Sequence, residues 1–97
     1  MAEKELIQGL NRQLDAAFDE TLTDGELRVN LIERINHLIQ KDFEKLVSIL
    51  YRVDVNENKL KTLLKASAGT DAAVLIADLI IEREWQKVKI RNTFKNQ

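Results

Sequence analysis

The chain has 97 residues, of which 44% are apolar and 32% charged, with a net charge of −1. That length suits a single domain with an adequate but modest core. Cysteine is absent, which excludes disulfides, thiol nucleophiles and thiolate metal sites. Proline is also absent, and glycine occurs only at Gly9, Gly25 and Gly69. A sheet-rich domain needs more turn chemistry than that, so helices are expected. The longest apolar run, residues 72–77, is stopped by Asp78, and a membrane span needs about 20 such residues. With no signal-type apolar segment at the start, the expectation is a soluble cytoplasmic protein that does not enter a membrane.

Four or five helices are readable in chain order. The first is expected over residues 3–22, where Leu6, Ile7, Leu10, Leu14, Ala17, Phe18 and Leu22 share one arc. Thr23 and Glu26 then form a capping-box pattern, which starts a second helix over 24–40. Its stripe is Leu27, Leu31, Ile32, Ile35, Leu38 and Ile39, and it continues in phase through Phe43, Leu46, Ile49, Leu50 and Val53. Asp42 falls inside that arc. A buried unpaired carboxylate is costly, whereas an N-cap carboxylate satisfies backbone donors. A break near Lys41–Asp42 is therefore expected, with a third helix over 42–53.

Asp54 and Glu57 repeat the capping spacing, so Asp54 is expected to cap a fourth helix over 55–67. Gly69 suits its left-handed end, and Thr70 suits the next N-cap.

The last helix, over 71–94, carries apolar residues on two sides. Val74, Ile81, Trp85 and Val88 share one side. Ile76, Leu79, Ile80, Ile90 and Phe94 share the other. A helix apolar on more than one side is covered on each, either by more of this chain or by a second copy. The first face is expected to close the core. The second, rimmed by Arg83, Glu84, Lys87 and Arg91, is expected to be a dimer interface.

The chemical motifs are weak. Asp54-x-Asn56-x-Asn58 opens like a calcium loop, but Lys59 and Lys65 stand where the glycine and bidentate glutamate belong. Residues 60–81 have a helix-turn-helix outline, yet their second helix is too apolar to read a groove. The single histidine, His37, has no second histidine with which to build a metal site. No metal or cofactor is expected. Asp78 interrupts an apolar helix and calls for a partner, with Tyr51, Arg52 or another subunit as candidates.

The segments 42–47, 50–55 and 76–84 resemble those of a family of small bacterial all-helical proteins to which no activity is attached. The resemblance spans roughly Leu31 to Lys89. It implies a bacterial cytoplasmic setting and brings no functional residue with it.

Together these observations point to an all-α, single-domain bundle of four to five helices. The expected role is a non-enzymatic interaction module that forms a homodimer through Ile76, Leu79, Ile80, Arg83, Ile90 and Phe94. A second reading is binding of nucleic acid or another polyanion through Lys59, Lys61, Lys65, Lys87, Lys89, Arg91 and Lys95. A third is an enzyme built on Asp42, Asp78, Tyr51 and Arg52.

Overall fold

A computed structural model describes residues 3–66 and 71–95; within it the side chains of Leu63, Leu64, Ala66, Phe94 and Lys95 are left aside. Five helices make up its regular structure: α1 (Lys4–Leu14), α2 (Asp24–Lys41), α3 (Phe43–Val53), α4 (Glu57–Ala66) and α5 (Ala72–Lys95). The radius of gyration is 13.5 Å, close to the ~13 Å of a compact chain of this length. The bundle is all-α.

α5 is the spine. It packs against each of the other four helices. Ala73, Ile76, Ala77, Ile80 and Val88 are buried along it. All but Val88 join Leu6, Ile7, Leu10 and Leu14 of α1, Leu27, Leu31, Ile35 and Leu38 of α2, and Leu46, Ile49 and Val53 of α3 in one core cluster. Each of those helices contributes one stripe at spacings of three and four, as a single-faced helix must.

The first helix is shorter than its apolar arc. It ends at Leu14, where Asp15 adopts the left-handed conformation with φ 50°. Aspartate tolerates that region better than most residues. Residues 16–23 then run irregularly, pinned from α1. Asn11 accepts from the Phe18 N–H at 2.8 Å and donates to the Phe18 carbonyl at 3.1 Å. Phe18 and Leu22 still reach the core edge, so their spacing in the sequence reflects packing and not helix.

α2 begins with the capping box of Thr23 and Glu26. The hydrogen bonds from Thr23 hold the Glu26 carboxyl below its ordinary value. Asp19 is lowered likewise by the hydroxyl and N–H of Thr21.

The chain breaks at Asp42, whose carboxylate accepts from the Lys45 N–H at 3.2 Å and starts α3. Asp54 does not cap α4. It is the left-handed residue that ends α3, with φ 65°, and Asn56 takes the cap by accepting from the Lys59 N–H at 2.9 Å. α5 opens on Asp71, which accepts from the Ala73 N–H at 2.9 Å. The closure expected at Gly69 and Thr70 lies outside the described residues.

Candidate functional site

The expected α5 interface is corrected by burial. Ile76 and Leu79 are each only 6% exposed and Ile80 is fully buried, all within one chain. The second apolar side of α5 is thus largely covered by its own bundle. Arg83 is tied to Asp54 at 3.3 Å and to Gln86 at 3.2 Å. Ile90 is left open at 52%, and the Phe94 side chain lies outside the description. Trp85, expected to close the core, instead sits at the surface with the Lys89 ammonium 5.7 Å from its ring centroid. Only Val88, of the pair beside the charged half, is fully buried.

Among the described residues Val29, Trp85 and Ile90 are exposed on α2 and α5, but three exposed large apolar side chains fall on α3. Leu46, Ile49 and Val53 turn into the core. Phe43, Val47 and Tyr51 recur every four residues on the neighbouring face, with exposures of 60%, 37% and 77%. Residues four apart are neighbours on a helix, so these three form one stripe. The stripe borders a hollow because the chain reverses sharply beside it. The Asp54 N–H bonds to the Leu50 carbonyl at 3.0 Å, and the Val55 N–H bonds to the same carbonyl at 3.2 Å. α4 leaves from that turn, so that it and α3 flank one hollow. The groove between them has a volume of about 570 Å³. Phe43, Val47, Leu50, Tyr51, Val55 and Leu60 give it apolar walls, and Asp54, Asn56, Glu57, Asn58 and Lys61 give it a polar rim. Glu57 and Lys61 pair along α4 at 3.7 Å.

A second hollow of about 390 Å³ lies on the other side of the α3–α4 turn, against α5. Its charges are spoken for within the chain. Lys59 meets Glu82 at 3.1 Å, and Arg83 meets Asp54.

The third reading, an enzyme, needs Asp42, Asp78, Tyr51 and Arg52 in one place, but the first, second and last are engaged elsewhere and Tyr51 lies exposed along the α3–α4 groove. Asp78 is exposed and takes a two-pronged bond from Arg28 at 2.8 and 3.1 Å. That carboxylate raises the Arg28 guanidinium above its ordinary value. Asp78 therefore finds its partner on α2, not in Tyr51, Arg52 or a second subunit. Arg52 donates to the Gln13 carbonyl at 3.0 Å and lies 3.8 Å from Asp15. Asp42 caps α3. Among the described residues no three His, Asp or Glu side chains gather as a metal would require, and no helix is long and apolar enough to cross a membrane.

The polyanion residues are scattered and partly neutralised. Lys59, Lys61 and Lys87 each hold an acid. Lys89 lies over Trp85. Lys65 and Arg91 are exposed, and the Lys95 side chain is outside the description.

Glu84 is the buried charge that the pattern hides. It is 1% exposed although it was expected on a polar rim. Its Oε1 accepts from Lys87 at 3.3 Å. Its Oε2 fits against α1 because Gly9 has no side chain: a Cβ there would lie 2.7 Å from that oxygen and 3.9 Å from an Arg12 nitrogen. Sequence reasoning missed this pair. An isolated glycine inside a helical arc was the available signal, since it marks close approach.

Comparison with protein-family models, with curated proteins and with solved structures finds no match.

Proposed function

We propose that the protein is a non-enzymatic helical interaction module that self-associates through the α3–α4 groove. The observation that carries this reading is the Phe43, Val47 and Tyr51 stripe, open to water beside an apolar hollow. Contiguous apolar surface rimmed by polar groups marks interaction sites, and aromatic side chains dominate interface energetics. The occupant we assign is α3 of a second copy. The stripe is symmetric about Val47, with one aromatic residue four positions to either side. Two copies of α3 running antiparallel would put Val47 on the two-fold axis. Phe43 of each copy would face Tyr51 of the other, the self-complementary pairing that a two-fold interface requires.

The size sets the strength. Eleven residues line the groove, against roughly 20–30 per side in a standard stable interface. The association is therefore of the weak, concentration-dependent class.

The absence of native cysteine makes the geometry testable. Val47→Cys should form a disulfide-linked dimer under mild oxidation, because the two sulfurs would meet at the axis. Ile90→Cys, on α5, should not. A Val47→Cys chain that stays monomeric at tens of micromolar while Ile90→Cys cross-links would overturn the surface assignment.

A further inference from the structure

Between the end of α1 and the second half of α5 lies another groove, with a volume of about 380 Å³. Its charged lining is Arg12, Arg83, Lys87 and Arg91, against the single carboxylate of Glu84. Two of these cations are already matched: Lys87 by Glu84 and Arg83 by Asp54. Arg12 and Arg91 have no acidic partner among the described residues. They come from different helices and line the same cavity.

The Glu84 carboxylate does not oppose an incoming anion from the cavity mouth. It is buried, its charge is met by Lys87, and its far oxygen faces the Gly9 backbone. It lies under the site and fixes the Lys87 ammonium there. What remains facing the cavity is an excess of about two positive charges on planar guanidinium forks, the groups best suited to a two-pronged hold on an oxyanion. Ile90, 52% exposed on the same wall, adds an apolar shoulder.

We infer that the α1–α5 groove binds a compact phosphate dianion, free or as a monoester, held by Arg12 and Arg91 with Lys87 behind them. The site is separate from the α3–α4 groove and does not depend on the self-association reading. It also differs from a basic stripe for nucleic acid, because the ligand sits at one point and not along a helix.

Titration of the full chain with inorganic phosphate and with phenyl phosphate, followed by ¹⁵N–¹H correlation spectra that include the arginine Nε–H groups, tests this. Saturable shifts confined to Arg12, Arg91, Lys87 and their neighbours are expected. Arg12→Gln and Arg91→Gln should each weaken binding at least tenfold, with unchanged circular dichroism and melting temperature. Lys61→Gln, on α4, should leave it unchanged. Tighter binding of phenyl phosphate points to a monoester seated on Ile90, and equal binding points to free phosphate. Shifts spread evenly over exposed lysines and arginines would overturn the site. So would the absence of saturation at tens of millimolar, or variants that bind as well as wild type.

Discussion

α5 and α3 bury themselves in opposite ways. α5 is apolar on two sides, and its first half, to Ile80, hides nearly all of that surface, because the other four helices surround it. α3 has a narrower apolar arc, yet three of its large side chains remain open. The difference comes from position. A central helix is covered by whatever folds around it, and its pattern reports how many neighbours it has. A helix at the edge meets the core along one stripe only, so apolar residues displaced from that stripe stay outside. Surplus apolar surface marks a binding face only where the bundle has run out of helices to cover it.

That contrast can be broken most sharply from the α5 side. Ile80→Ala should cost about 2–5 kcal/mol, the usual price of emptying a buried aliphatic site. Chemical denaturation measures it. A loss below ~1 kcal/mol would mean that α5 is not the spine, since surface changes stay within about ±0.5 kcal/mol.

Lys87→Met comes next. It removes the hydrogen-bonding cation from the buried Glu84, and an acceptor left unsatisfied in the interior costs about 1–3 kcal/mol. Pairing the change with Glu84→Gln should recover part of the loss, because a neutral amide needs no counter-charge. Equal stability of the single and double variants would show that the Lys87 bond does not offset the burial of Glu84.

Asp42→Ala should cost about 0.5–2 kcal/mol, the loss of a helix cap. The position separates α2 from α3 and so sets the edge location of the latter. A stabilised variant would mean that the two helices prefer to fuse.

Acid should weaken the N-terminal side of α2 before the spine. The Glu26 and Asp19 carboxyls are lowered by their hydrogen bonds to Thr23 and Thr21. Groups with depressed values stabilise the fold fully above their unfolded values of about 4. The contribution is lost as pH falls through the lowered folded values. Glu26→Gln, which removes the titrating carboxyl, should therefore flatten the decline in melting temperature between pH 5 and pH 2. An unchanged slope would show that the capping box carries no linkage.

The smallest effect on stability is expected at Tyr51. Its side chain is 77% exposed, so Tyr51→Ser should change the free energy of the monomer by less than about 0.5 kcal/mol.

The sequence announces most of the helices and little of the surface. Spacings of three and four place α2, α3 and α5 within a residue or two of where they lie, because each has a strong cap or a long run. α1 misleads. Ala17, Phe18 and Leu22 keep its phase, but Asp15 turns left-handed and Asn11 clamps the following loop to α1. Periodicity sees which residues pack, not whether a helix carries them. Asp54 misleads similarly, since an aspartate serves equally well as an N-cap or as a left-handed helix end. The α3 stripe was present as Phe43, Val47 and Tyr51, but with Leu46 and Leu50 between them the arc reads as one continuous core face. Which part of an arc stays open depends on the neighbours, and α5 supplies those neighbours from beyond the whole of α4. Glu84 shows the same limit: its burial rests on a gap left by Gly9 in another helix.

The central claim is that the open face of α3 is where two copies meet. Sedimentation velocity from about 1 to several hundred micromolar, on wild type and on Tyr51→Glu, tests it most directly. The sedimentation coefficient should rise with concentration for wild type and stay at the monomer value for the variant, with equal helicity by circular dichroism. A wild type that remains monomeric throughout, or a variant that associates as strongly, would contradict it.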